Sequence, residues 1–235
     1  MGHEYVELKN SHAALESYRR AVDVNRKDYR AWYGMGQTYE MLDMHSYALY
    51  YYQRASALRP FDAKIWGAVA KCFERVGKVN NAVRAYKRAL VAGSWYERGA
   101  GGGDSSFASE GSGLQGLQGG VLDPDCLFQI AVLYERMNEM EECAAYMELC
   151  VAQEEGPGGG DEFEEEMAMN QGGGGVGVTV TTSKARMWLA KWAYARGEYG
   201  RALELATELC EDGIDVEEAK ALQRDIRARE EAERG

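Results

Sequence analysis

Two glutamates separated by 34 residues, Glu40 and Glu74, are the leading candidates for a chemical role in this sequence. A carboxylate partly withdrawn from water binds a guanidinium group through two parallel hydrogen bonds. Gln37 and Tyr33 lie nearby, so the pattern predicts a cleft that binds an extended peptide and one of its arginines. Gly67 leaves room for a bulky side chain of the bound peptide. The candidate groove residues are His3, Glu7, Arg30, Tyr33, Gln37, Glu40, Lys71 and Glu74.

No arrangement typical of an enzyme accompanies these residues. The glycines of 172–177 match G-x-G-x-x-G, but an acidic run precedes them, whereas a dinucleotide site needs a strand there and a helix after it. There is no G-K-[ST] motif, no H-E-x-x-H motif and no Cys/His cluster. The three histidines are well separated: His3, His12 and His45. We therefore predict that the chain is not an enzyme and has no catalytic residues, metal site or cofactor.

Net charge, apolar runs and cysteine spacing indicate which kinds of partner the protein binds and which cellular compartment it occupies. The formal net charge is −11 and the isoelectric point is about 4.9, which argues against nucleic-acid binding and is compatible with a basic peptide. There is no run of 18 apolar residues, so we expect no membrane span. None of the five cysteines forms a C-x-x-C pair, which favours reduced core thiols in a nuclear or cytosolic protein over a disulfide framework or a zinc site.

Small and aromatic residues recur every 34 positions over the first ninety residues. The recurring sets are Gly2, Gly36 and Ala70; Tyr5, Tyr39 and Phe73; Ala14, Ala48 and Ala82; Tyr18, Tyr52 and Tyr86; and Ala21, Ala55 and Ala89. Trp32 and Trp66 precede the later two cycles, and Pro60 closes one of them. This order at this period is the tetratricopeptide repeat (TPR) pattern. Each repeat is a helix hairpin that buries its apolar face only by stacking on its neighbours.

We therefore predict an all-α TPR solenoid, a right-handed superhelix of helix hairpins, with two disordered Gly-rich inserts. The predicted segments are TPR repeats over 1–92, a Gly/Ser-rich insert over 93–122, a repeat over 123–153, an acidic and Gly-rich insert over 154–182, and a degenerate repeat with a capping helix over 183–235. The first repeat lacks the first half of its first helix, so we expect Met1 to be an internal methionine of a longer protein.

Particular residues carry a closer resemblance. The stretch 28–40, DYRAWYGMGQTYE, and the segments Gly2–Tyr5, Leu49–Tyr52 and Leu58–Pro60 closely resemble the eighth subunit of the anaphase-promoting complex (cyclosome), the Cdc-twenty-three family. The match is densest over residues 2–92 and weaker through the later repeats.

The resemblance implies a non-catalytic scaffold in a multisubunit ubiquitin ligase that drives exit from mitosis, in the nucleus and the cytoplasm. The implied partners are the other subunits of the complex and its activator protein, whose short Arg-containing box enters a TPR groove. The family dimerises through N-terminal repeats that are absent here, so we do not expect a homodimer of this chain. The alternative is another TPR adaptor, such as a chaperone-tail receptor, although such a groove collects Lys, Arg and Asn, whereas this one mixes Glu with Lys and Arg.

Overall fold

The chain is helical and has no strand anywhere in the part that the structure describes. The computed structural model describes residues 2–97, 122–155, 175–213 and 216–234. Two compact units, Met1–Leu117 and Gln118–Gly235, divide the chain. The prediction of an all-α fold of helix hairpins is confirmed.

The first unit contains three successive hairpins. Its helices are α1 Gly2–Glu7, α2 Ser11–Val24, α3 Tyr29–Met41, α4 His45–Leu58, α5 Ala63–Arg75 and α6 Val79–Glu97. Each odd-numbered helix pairs with the next helix, and α2 and α4 then pack on the first helix of the following hairpin. We call the first helix of each hairpin the A helix and the second the B helix.

The second unit repeats this arrangement and adds a final helix. Its helices are α7 Pro124–Arg136, α8 Met140–Ala152, α9 Val180–Arg196, α10 Tyr199–Asp212 and α11 Val216–Arg234. Three residues of α11, Ala219, Leu222 and Ile226, join the core formed by α9 and α10. The remaining described residues of α11 are exposed or half-buried, so this helix covers the apolar face of the fifth hairpin.

The recurring small residues lie where the helices of a hairpin meet. Ala48, Ala82, Cys143 and Ala202 occupy the same register and are fully buried. In the first unit a buried tyrosine follows four positions later on the same B helix, at 18, 52 and 86. The close approach of the helices therefore depends on a side chain no larger than cysteine at this register.

We expect Ala48→Leu and Ala82→Leu each to lower the free energy of unfolding by about 1–3 kcal/mol, because added methylenes have no space in a packed core. Urea unfolding followed by circular dichroism measures the change. Unchanged midpoints in both variants would contradict this register.

Three A helices begin at the same kind of N-cap. The side chains of Asp28, Asp62 and Asp123 accept hydrogen bonds from backbone N–H groups two residues ahead, at distances of 3.0, 3.1 and 3.0 Å. An aspartate at this position satisfies a donor that the helix itself leaves unpaired. Asp28 is the N-cap of α3, Asp62 that of α5 and Asp123 that of α7.

Two helices extend past the segment limits that the sequence suggests. Helix α6 continues to Glu97, beyond the predicted start of the first insert at 93. Helix α9 begins at Val180, before the predicted limit of 183, because Thr179 and Thr182 form a capping box that adds a turn. Both ends of the second insert are held together, since Val176 N–H donates to the Gln153 carbonyl at 2.9 Å. Residues 98–121 and 156–174, most of the two predicted inserts, lie outside the described residues, so their disorder stays a prediction.

A buried arginine distinguishes the fifth hairpin from the others. Arg186 has the register of Trp32 and Trp66, and its side chain is 8% exposed. Its guanidinium group pairs with Glu154, which is also 8% exposed, and with Asp212, and its Nε lies 3.4 Å from Glu208. Helix α9 is thus joined by charge both to the segment after α8 and to α10.

All five cysteines lie in the described part of the chain, and none of them forms a disulfide bond. Burial raises the pKa of Cys72, Cys143 and Cys150 to about 12. A thiol reacts as the thiolate, so these three thiols have little nucleophilic character at neutral pH.

We expect iodoacetamide to modify the half-buried Cys126 and Cys210 well before Cys72, Cys143 and Cys150 in the native protein. Peptide mapping by mass spectrometry after timed labelling checks this order. Early modification of Cys72 would contradict its buried position in α5.

Candidate peptide-binding groove

The predicted groove residues lie on successive A helices of the first unit. We define the groove face by Tyr33, Gln37 and Glu40 on α3 and by Gly67, Lys71 and Glu74 on α5. Tyr33, Gln37, Glu40 and Glu74 are half-buried, whereas Lys71 is exposed. The 34-residue offset thus gives α3 and α5 equivalent positions, and the position of Tyr33 on α3 is occupied by Gly67 on α5.

The carboxylate of Glu40 already has a partner within the hairpin. The hydroxyl of Tyr52 on α4 donates to Glu40 Oε2 at 2.6 Å. Burial, followed by this bond to a carboxylate, raises the pKa of Tyr52, so the phenol stays protonated and remains the donor. Glu40 therefore fastens α3 to α4, and a bound guanidinium group would share this carboxylate with Tyr52.

Tyr33 and Glu40 both contact the Tyr52 side chain. The ring centroids of Tyr33 and Tyr52 are 5.2 Å apart, with the rings tilted by 47°. Burial and then the charges of Glu40 and Asp62 raise the pKa of Tyr33. The Glu40 charge also adds to the effect of burial on the Cys72 thiol of α5. The charge of this one carboxylate therefore raises the pKa of side chains on α3, α4 and α5.

The groove face is open at Gly67. A Cβ atom added there would meet no heavy atom within 4 Å, whereas one added at Gly36 would lie 2.6 Å from Cδ1 of Tyr52. Gly67 occupies on α5 the position that Tyr33 occupies on α3. The space expected from the sequence at this position is present.

Three candidate residues lie apart from this group. Arg30 is exposed, and its Nε donates to the Tyr29 hydroxyl at 3.4 Å, so the side chain is turned toward Tyr29. Glu7 is exposed on the last turn of α1, and His3 lies on the same helix, where its side chain is outside the described residues. The structure therefore brings together Tyr33 and Glu40, and it places Arg30 beside a neighbouring aromatic ring.

Two interactions of glutamates at the register of Glu40 were not predicted from the sequence. The bond from Tyr52 to Glu40 spans twelve residues, the offset that also relates Gly36 to Ala48, so the repeat register contains a signal for it. In the second unit Trp188 Nε1 donates to Glu135 Oε1 at 2.8 Å. Glu135 has the register of Glu40 and Glu74, but its partner comes from the next hairpin, and no spacing within one repeat indicates this contact.

The described residues contain no group of three or more His, Cys, Asp and Glu side chains able to hold a metal ion. None of the described helices is both long and apolar enough to cross a membrane.

Profiles of the tetratricopeptide repeat match residues 1–63 and 124–155. A search of curated proteins found no match. Among solved structures, MamA is 13% identical over 94% of this chain and 96% of its own, with a TM-score of 0.60. YrrB, a TPR protein with an unusual peptide-binding site, is 12% identical over 95% of this chain and 88% of its own, with a TM-score of 0.57.

A tetratricopeptide repeat protein from Parabacteroides merdae is 14% identical over 96% of this chain and 69% of its own, with a TM-score of 0.57. At these identities the likeness concerns the fold, and it agrees with the hairpins, the small-residue register and the repeated N-caps described above. The chain has the all-α fold of tetratricopeptide repeat proteins.

Proposed function

We propose that the chain is a non-catalytic adaptor that holds an extended peptide of a partner protein on the groove face. The observation that carries this proposal is the open space at Gly67 on α5, together with the half-buried aromatic, amide and carboxylate side chains on the equivalent face of α3. A cleft with a few polar groups around a vacant side-chain position suits recognition of one bulky residue. YrrB has the same fold and a peptide-binding site, so the fold is compatible with this role.

The preferred residue of the peptide in this proposal is arginine. Glu40 and Glu74 hold equivalent positions on α3 and α5, and both are half-buried. Glu40 presents a second carboxylate oxygen beyond the one that accepts the Tyr52 bond. An arginine side chain offers five N–H donors in a planar fork, which suits a carboxylate in this setting.

Within this class we further propose a scaffold subunit of the anaphase-promoting complex, acting in the nucleus and cytoplasm in mitotic progression. What supports this finer proposal is the run of residues 28–40 together with the segments around Tyr5, Tyr52 and Pro60. The repeat profiles and the similar structures support the adaptor class alone. A peptide receptor of another kind, such as a chaperone-tail receptor, is the competing assignment.

Co-purification of the full-length protein separates these assignments. Tagged protein should recover a large ubiquitin-ligase assembly together with its activator, identified by mass spectrometry. Recovery of a chaperone in place of that assembly would contradict the finer proposal and leave the adaptor class intact.

A peptide titration tests the role of the two glutamates. Glu40→Ala and Glu74→Ala are made in the full-length protein. Each should weaken the binding of an activator-box peptide by more than about tenfold, because losing one partner of a desolvated ion pair costs about 2–5 kcal/mol. Replacing a glutamate that is merely solvated would leave the peptide affinity almost unchanged. Tyr52→Phe is the matched control, since it removes the bond to Glu40 and keeps the carboxylate. If both alanine variants stay within about twofold while an Arg-to-Ala peptide fails to bind, the arginine site lies elsewhere.

A further inference from the structure

The B helices of the first unit carry arginines in register. Arg20 on α2, Arg54 on α4 and Arg88 on α6 are separated by 34 residues each, and all three are exposed. Equivalent positions of stacked repeats line up along one face of the stack. We call these three residues the arginine row. It lies on B helices, whereas the groove face lies on A helices.

Acidic residues are absent from α4, and α6 has one only at its last residue, Glu97. Residues 44–61 and 75–96 contain no Asp or Glu, although the chain as a whole has 38 acidic residues against 27 Lys and Arg. Exposed Lys78 and Arg84 add further positive charge to the same segments. The surface formed by α4 and α6 is therefore positively charged in a protein whose formal net charge is −11.

Aromatic rings hold the two arginines in place. Arg54 Cζ lies 5.4 Å from the centroid of the Tyr50 ring, and Arg88 Cζ lies 4.9 Å from the centroid of the Trp66 ring. Neither guanidinium group forms an ion pair with any of the residues described. One N–H group of Arg54 also donates to the Tyr50 hydroxyl at 3.4 Å, and the other in-plane N–H groups of Arg54 and Arg88 can still donate to a carboxylate. Arg20 differs, because it pairs with Glu16 on its own helix.

Exposed tyrosines lie beside the row. Tyr47 and Tyr50 on α4 are 57% and 50% exposed. Tyr50 packs edge-on against Tyr51, and Tyr47 stacks on Tyr39, so both exposed rings rest on other rings. Rigid, half-exposed tyrosines next to arginine are typical of protein-binding surfaces.

The second unit has the opposite charge on its B helices. Residues 2–97 contain 15 Lys and Arg against 10 Asp and Glu, a net charge of +5. Helix α8, by contrast, carries Glu141, Glu142 and Glu148 and no Lys or Arg. The arginine row is thus a local property of the first unit.

We propose that the arginine row, with Tyr47 and Tyr50, binds an acidic segment of a partner protein. The carboxylates of that segment pair with the in-plane N–H groups of Arg54 and Arg88, and its apolar side chains pack on the exposed tyrosine rings. The charge of this ligand is opposite to that of the arginine-bearing peptide on the groove face. The two surfaces therefore suit two different segments.

The test is a titration of the full chain with a synthetic peptide of alternating Glu and Tyr, followed by fluorescence polarisation at physiological ionic strength. Arg54→Gln/Arg88→Gln should weaken binding by about tenfold or more. Arg196→Gln/Arg201→Gln changes the net charge equally but affects arginines that are already paired with Glu141 and Glu148, and it should leave the affinity unchanged. Circular dichroism confirms that both double variants are folded.

Three outcomes would overturn the proposal. Equal losses in the two double variants would mean that the peptide responds to total charge alone. Binding of a single-stranded oligonucleotide without binding of the acidic peptide would assign the row to nucleic acid. A dimer in sedimentation analysis that Arg54→Gln/Arg88→Gln dissociates would make a second copy of the chain the occupant.

Discussion

Replacing Arg186 with alanine should lower the free energy of unfolding of the second unit by about 3–5 kcal/mol. The variant leaves the buried carboxylate of Glu154 and the largely buried carboxylate of Asp212 without their cation. An uncompensated buried charge costs more than the ion pair itself contributes. The midpoint of urea unfolding, followed by circular dichroism, gives the difference.

An exposed arginine of the same unit provides the control. Arg201 pairs with Glu148 at 2.5 Å, but both side chains are roughly half exposed. Arg201→Ala should therefore cost no more than about 1 kcal/mol. The double variant Arg186→Leu/Glu154→Leu should recover part of the loss, because it removes the most buried carboxylate with the cation. Similar costs for Arg186→Ala and Arg201→Ala would show that the Arg186 cluster is not buried as described.

Gly36→Leu should also destabilise the protein severely, by about 3 kcal/mol, the upper end of the range for overpacking. The first added carbon would already lie 2.6 Å from two atoms of the Tyr52 ring. That ring is fully buried, and its hydroxyl is bonded to Glu40, so it has no room to withdraw. Thermal or urea unfolding of the first unit measures the loss.

Gly67→Leu is the matched control for this prediction. Both glycines lie inside A helices, but an added Cβ at Gly67 meets nothing within 4 Å. Leucine has a higher helix propensity than glycine by roughly 0.8 kcal/mol, so this variant should be slightly more stable than the wild type. Loss of stability in both variants would mean that α5 is packed on the face that the structure shows as open.

The repeat period accounts for most of what could be predicted. Once the small residues such as Gly36 and Ala48 are aligned, the hairpin limits and the N-cap at Asp28 follow, because stacking requires the same geometry in every repeat. Helix α9 begins three residues before 183, the segment limit taken from the sequence, for a local reason. Thr179 and Thr182 cap the helix a turn earlier than the register suggests, whereas α3, α5 and α7 each begin at a capping aspartate.

The 34-residue period does not predict the electrostatic contacts. Arg186 occupies the register of an apolar or aromatic residue, and its partners Glu154 and Asp212 lie 32 and 26 residues away in the chain. Backbone hydrogen bonds from Val176 to Gln153 and from Gly177 to Glu154 bring Glu154 close to the start of α9, and Asp212 comes from the end of α10. The prediction for Glu40 covers only part of its role. The sequence places Glu40 on the groove face but does not show that one of its carboxylate oxygens accepts a hydrogen bond from Tyr52.

The central claim is that the groove face receives an extended peptide at Gly67. The most direct test is a titration of the wild type, Gly67→Trp and Gly200→Trp with an arginine-bearing activator-box peptide. Both glycines have open space around an added Cβ, but Gly200 lies on α10, outside the groove face. Gly67→Trp should weaken binding by at least about tenfold, or about 1.4 kcal/mol, while Gly200→Trp binds like the wild type. Wild-type affinity in a folded Gly67→Trp variant would contradict the claim.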